Sequence, residues 1–151
     1  MMKLNSVEEI LDYAIEKEQD AADFYNSLAA KMDRQAMKDV FAGFAREEMG
    51  HKAKLQAVKE GRLLLSAEKK VADLKIGDHL VEVELNAEIG YQEALILAMK
   101  AEKAAYKLYH DLASATDNAE VQEVLLSLAH EEAKHKLRFE VEYDDVILTE
   151  N

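Results

Sequence analysis

Four segments of the chain place an apolar residue at every third or fourth position, which is the period of a helix with one buried face. Ser6 followed by Glu9 is a typical helix start, and Asp33 and Asp117 are residue types that favour helix N-caps. The pattern therefore predicts four helices, over residues 6–30, 33–60, 88–115 and 117–142.

Charged residues interrupt each apolar stripe at positions where the helical period predicts a buried side chain. The inward-facing residues are Glu18 in the first helix, Glu48 and His51 in the second, Glu102 in the third, and Glu132 and His135 in the fourth. A buried carboxylate without a partner is costly. These groups must therefore be compensated by one another, by protons or by a metal ion.

The connections between the predicted helices define two hairpins. Short breaks at 31–33 and 115–117 predict antiparallel pairs, whereas the longer connection 61–87 suits a crossover between them. Alternating residues in HLVEVEL hint at an extended stretch inside this crossover, and the tail VEYDDVILTEN either extends the last helix, docks on a neighbour or frays. We expect one all-α domain over 1–151: a four-helix bundle of two hairpins joined by a long crossover.

The two hairpins are copies of one another. A shift of 84 residues places Glu18 on Glu102, and it places the motif Glu-x-x-His at 48–51 on the same motif at 132–135. Residues three apart lie on one face of a helix. In each copy thirty residues separate the two glutamates, which brings them to the same height in a hairpin. Four glutamates and two histidines from four helices form the ligand set of di-iron or di-manganese bundles, although a core of coincidental polar groups is the alternative.

The composition of the chain limits the possible metal ligands and binding partners. The chain has no cysteine, so a metal must be held by oxygen and nitrogen ligands. Such ligands suit iron or manganese, and they can also bind zinc. The formal net charge of −12 argues against nucleic acid or an anionic membrane as partner. No apolar run is long enough for a membrane span and the N-terminus is charged, so we expect a cytoplasmic protein.

Four stretches of the sequence resemble the rubrerythrin-like branch of the ferritin-like superfamily. They are EKEQDAADFY at 16–25, REEMGHKAKL at 46–55, AEKAAYKLYHDLA at 101–113 and HEEAKHKLRF at 130–139. The resemblance implies a ferritin-like bundle with two iron ions, redox chemistry with peroxide or dioxygen, and a homodimer. It further implies bridging roles for Glu48 and Glu132 and terminal ligand roles for Glu18, Glu102, His51 and His135.

Two departures from the family pattern affect the expected function. Typical rubrerythrins carry a rubredoxin domain with four cysteines, so this cysteine-free chain would need a separate electron donor such as a rubredoxin. They also carry an extra ligating carboxylate three residues after the third-helix glutamate, where this chain has Ala105.

We therefore expect a di-iron oxidoreductase that reduces hydrogen peroxide, or oxidises Fe(II) with dioxygen. The alternatives are a protein that binds or buffers iron without turnover, and a metal-free module with a vestigial site. Tyr25 and Tyr109 are expected either to hydrogen-bond a ligating carboxylate or to pack in the core, whereas Glu47 and Glu131 are expected to be solvated.

Overall fold

The structure is a computed structural model that describes residues 6–65 and 88–150 as an antiparallel arrangement of four helices. Their bounds are α1 (Val7–Lys31), α2 (Gln35–Leu65), α3 (Tyr91–Ser114) and α4 (Ala119–Glu150). Helices α1 and α2 pack along their length as one hairpin, and α3 and α4 pack as the other. The predicted all-α four-helix bundle is confirmed, while the expected extended stretch in the crossover lies outside the described residues.

Helix starts follow local hydrogen bonding. The side chain of Ser6 accepts a hydrogen bond from the Glu9 amide at 3.1 Å, so the predicted cap of α1 is confirmed. The predicted caps of α2 and α4 are wrong by one residue. Arg34 supplies the carbonyl that accepts the first bonds of α2. Asn118, not Asp117, caps α4, because its Oδ1 accepts from the Val121 amide at 2.9 Å and its carbonyl starts the helix.

Two helices are longer than predicted, and one starts later. Helix α2 continues through Gly61, because this glycine does not adopt the left-handed conformation that ends a helix. Helix α4 runs on to Glu150, so the acidic tail extends the helix. Helix α3 begins at Tyr91 after the extended residue Gly90, and not at Glu88.

The core is divided into two clusters at opposite ends of the bundle. One cluster is mainly aliphatic and contains Ile10, Leu11, Leu55, Leu112 and Leu125. The other is rich in aromatic rings and contains Tyr25, Phe41, Phe44, Tyr91 and Phe139. The buried charged residues occupy the layer between the clusters, so apolar packing encloses them from both ends. Within the described residues, none of the helices has an apolar stretch long enough to cross a membrane.

Candidate metal centre

All six predicted ligands lie in this central layer. Four buried glutamates and two histidines meet there, one glutamate from each of α1 and α3 and a Glu-x-x-His pair from each of α2 and α4: Glu18, Glu48, His51, Glu102, Glu132 and His135. The side chain of His51 is 14% exposed and that of His135 is 1% exposed.

The Nδ1 atom of His51 faces three carboxylates. It lies 3.2 Å from Glu48 Oε1, 3.3 Å from Glu18 Oε2 and 3.3 Å from Glu132 Oε1. Two of these carboxylates belong to the same hairpin as His51, and Glu132 belongs to the other hairpin. The group is therefore assembled only when the two hairpins come together.

The surroundings of His135 repeat this arrangement with the hairpins exchanged. Its Nδ1 atom lies 3.4 Å from both Glu132 Oε1 and Glu48 Oε1, and 3.6 Å from Glu102 Oε2. Glu48 and Glu132 thus contact both imidazoles, and we call them the shared glutamates. Glu18 and Glu102 each contact one imidazole, and we call them the terminal glutamates.

The donor atoms of this layer fit two metal ions. Ligand atoms of the shared glutamates and both histidines lie within 4.8 Å of one another. Both Nδ1 atoms, the Nε2 atom of His135, and at least one oxygen of each of the four glutamates are buried without a hydrogen-bond partner. Buried polar atoms normally have such partners. Four carboxylates also balance the charge of two divalent cations, so two ions bound in this layer would satisfy both its charge and its lone pairs.

Two tyrosines tie the hairpins together beside this layer. Tyr109 on α3 donates a hydrogen bond to Glu18 Oε2 on α1 at 2.5 Å, and Tyr25 on α1 donates to Glu102 Oε1 on α3. Each tyrosine therefore contacts the terminal glutamate of the other hairpin. Burial raises the pKa of both phenols well above 10.0, so both remain hydrogen-bond donors at neutral pH.

The electrostatics of the layer favour protonated side chains when no metal is bound. Burial, with repulsion from Glu18 and Glu102, raises the pKa of Glu48 to about 7. Burial is also the main reason that the pKa of Glu132 is raised. Burial lowers the pKa of His51, but its contacts with three carboxylates outweigh that effect and raise it to about 12. Metal ions would therefore have to displace protons from these groups.

Sequence reasoning missed one contact of the site. Glu47, which was expected to be solvated, is 42% exposed, yet its Oε1 lies 3.4 Å from His135 Nε2. It also accepts hydrogen bonds from Arg138 at 2.9 and 3.2 Å. These contacts join α2 to α4, so no spacing within one helix could have indicated them. Among the described residues, the ion pair of the other solvated candidate, Glu131, is a 3.6 Å contact with Lys134.

The position of the extra rubrerythrin carboxylate is alanine in both halves of the chain. Ala105 follows Glu102 by three residues, and the same offset from Glu18 leads to Ala21. Within the described residues, the carboxylates near the two Nδ1 atoms are thus the shared and terminal glutamates alone.

Comparison with known proteins identifies the family of the chain. The rubrerythrin family model matches residues 9–143, so the chain belongs to the rubrerythrin family. No curated protein gives a significant match.

Two solved structures have similar folds. One is described as a ferritin-like diiron-carboxylate protein from Thermotoga maritima; it has a TM-score of 0.72 and 21% identity, over 93% of this chain and 96% of that chain. The other is a hypothetical protein from Pyrococcus furiosus, with a TM-score of 0.63 and 28% identity, over 91% of this chain and 87% of that chain. The ferritin-like fold is therefore shared with a protein described as diiron.

Proposed function

We propose that the protein is a di-iron oxidoreductase that reduces hydrogen peroxide with electrons from a separate donor protein. The observation that supports this most directly is the position of the shared glutamates, Glu48 and Glu132. Each lies within 3.4 Å of both imidazole Nδ1 atoms, where one carboxylate can hold two ions side by side. When two Fe(II) ions are bound, they supply the two electrons that, with two protons, convert hydrogen peroxide to two water molecules.

The side chains of the layer would coordinate the two ions and shield them from solvent. Glu18 and His51 would complete the coordination of one ion, and Glu102 and His135 that of the other. The hydrogen bonds from Tyr25 and Tyr109 fix the orientation of the terminal glutamates. The two apolar clusters cover both ends of the layer. Among the six described side chains of the layer, that of His51 is the most exposed, at 14%, and we propose its side as the entrance for a small oxidant.

The electron donor in this proposal is another protein, because the chain has no cysteine with which to build a rubredoxin-type centre. A rubredoxin fits the family resemblance. The homodimer implied by the same resemblance also remains a proposal, and gel filtration of the purified protein tests it.

Stopped-flow oxidation tests the proposed activity. The anaerobic protein loaded with Fe(II) is mixed with hydrogen peroxide or dioxygen, and near-ultraviolet absorption is followed. We expect peroxide to oxidise the protein-bound iron much faster than it oxidises free Fe(II). We also expect peroxide to oxidise the bound iron faster than dioxygen does. Glu48→Gln should abolish this acceleration. Glu123→Gln, which alters an exposed carboxylate on α4, should leave it unchanged.

Two results would count against the peroxidase proposal. Oxidation no faster than that of free Fe(II), although two ions are bound, would favour iron binding or buffering, for which the solvent-facing His51 offers an exchange route. Oxidation that is faster with dioxygen than with peroxide would favour Fe(II) oxidation as the activity.

A further inference from the structure

The two imidazoles have similar contacts on their carboxylate side but different contacts on the opposite side. Behind His135, four side chains form a closed ring of contacts. His135 Nε2 lies 3.4 Å from Glu47 Oε1, and Glu47 accepts hydrogen bonds from Arg138 Nη1 at 2.9 and 3.2 Å. The Arg138 guanidinium lies 4.3 Å from the centre of the Phe44 ring. The Phe44 ring in turn packs perpendicular to the His135 imidazole, with an interplanar angle of 89° and centroids 4.9 Å apart. These contacts place a carboxylate 3.4 Å from Nε2 of His135 and pack an aromatic ring against its imidazole.

The equivalent positions in the other half do not form this ring. The 84-residue shift replaces Phe44 by Leu128 and Arg138 by Lys54. Lys54 lies 3.4 Å from Ser127 Oγ, and Glu131, the counterpart of Glu47, pairs with Lys134. Among the described residues, every carboxylate contact of His51 is made through Nδ1.

A carboxylate on the second nitrogen has a known effect on an imidazole ligand. It fixes the ring orientation and the tautomer, and it makes the ligating nitrogen a stronger donor. Loss of such a partner commonly weakens metal binding about 10–100-fold. Here Glu47 lies on the Nε2 side of His135 while Nδ1 faces the carboxylates, and Arg138 holds Glu47 in place by two hydrogen bonds. Among the described residues, no carboxylate lies on the Nε2 side of His51, and His51 is the more exposed imidazole.

We propose that the two metal positions are unequal and that Glu47 is the positioning residue that makes them so. The ion at His135 and Glu102 binds more tightly, whereas the ion at His51 and Glu18 binds more weakly and exchanges with solvent. This inference rests on the proposed function in one respect, since it requires that the layer binds two ions.

Titration of the metal-free protein with Co(II) tests the inference without any measurement of activity. Binding is followed by calorimetry and by the visible absorption of the bound ion. Wild type should bind two ions in steps of different affinity. Glu47→Ala should weaken the tighter step by about 10–100-fold and alter its absorption. The matched variant Glu131→Ala, at the equivalent position of the other hairpin, should leave both steps within about twofold of wild type.

Further variants separate positioning from folding. Glu47→Gln keeps a polar oxygen on the Nε2 side of His135 and should restore most of the affinity, whereas Arg138→Ala should weaken the tighter step to a smaller extent. The metal-free Glu47→Ala protein should unfold at the same denaturant concentration as wild type, because the Glu47–Arg138 pair is largely exposed. His51→Ala should remove the weaker step and retain the tighter one.

Several results would overturn the proposal. If two ions bind to wild type but Glu47→Ala and Glu131→Ala have equal effects, the positioning role of Glu47 is refuted and the proposed function stands. The same holds if His51→Ala removes the tighter step. If wild type binds no Co(II), Mn(II) or Fe(II), both the inference and the proposed function fail.

Discussion

Removal of the metal should reverse the pH dependence of the protein's stability. Without metal, the folded protein holds protons that the unfolded chain has lost, because the pKa of Glu48 is raised from 4.5 to about 7. Between these two pH values the folded state binds more protons than the unfolded state, so the free energy of unfolding falls as pH rises. The contribution is fully present below pH 4.5 and is lost as pH rises through about 7.

The magnitude follows from the size of the pKa change. A rise from 4.5 to about 7 corresponds to about 3 kcal/mol, most of it lost between about pH 5 and pH 8. His51 adds to the same trend, since its raised pKa also means that the folded state retains a proton at neutral pH. Metal binding requires deprotonated ligands, so the affinity for metal increases as pH rises. Because the metal binds the folded state, the free energy of unfolding of the metal-bound protein also increases with pH.

The assay is urea unfolding followed by far-ultraviolet circular dichroism from about pH 5 to about pH 8, with and without saturating Mn(II). Glu48→Gln, which mimics the protonated carboxyl, should flatten the slope of the metal-free protein. The exposed variant Glu123→Gln should keep the wild-type slope. A metal-free stability that rises or stays constant over this range would refute the argument that buried, mutually repelling carboxylates hold the protons.

Four further substitutions test the structure by urea unfolding of the metal-free protein. Tyr109→Phe leaves Glu18 without its buried donor and should lower the free energy of unfolding by about 1–3 kcal/mol; no loss would mean that the hydrogen bond is not formed. Gly50→Ala should raise it by about 0.5–1 kcal/mol, because Gly50 lies inside α2 with open space around the added methyl group; a loss would reveal an unseen contact. Asn118→Ala should cost about 1 kcal/mol and Asp117→Ala much less, and the opposite order would restore Asp117 as the cap of α4.

The sequence predicted the bundle and its inward-facing residues because both depend on local periodicity and on an internal repeat. The six charged residues of the central layer interrupt apolar stripes, and a shift of 84 residues superposes the two halves without a gap. The repeat also implies a pseudo-two-fold arrangement. The structure contains this pseudo-two-fold arrangement, since each contact of His51 with a carboxylate has a counterpart at His135.

Contacts between the hairpins could not be predicted in the same way. The tyrosines were placed on the inner face, but their bonding to the terminal glutamate of the opposite hairpin depends on how the two hairpins meet. Glu47 was placed on the solvent side, which its 42% exposure partly supports, but its contacts come from Arg138 and His135 on α4. Helix ends were missed by one residue at Asn118 and by several at Gly61, because residue preferences at helix ends are weaker than the hydrogen bonds that form there.

The most direct test of the account is the number of Fe(II) ions that the metal-free protein binds under anaerobic conditions. The six side chains of the central layer, divided into two halves by the shared glutamates, predict saturation at two ions per chain. Glu48→Gln should bind fewer, since it alters a ligand of both ions. Saturation at a single ion, or no binding of Fe(II), Mn(II) or Zn(II) at all, would contradict the conclusion that this layer is a dinuclear metal site.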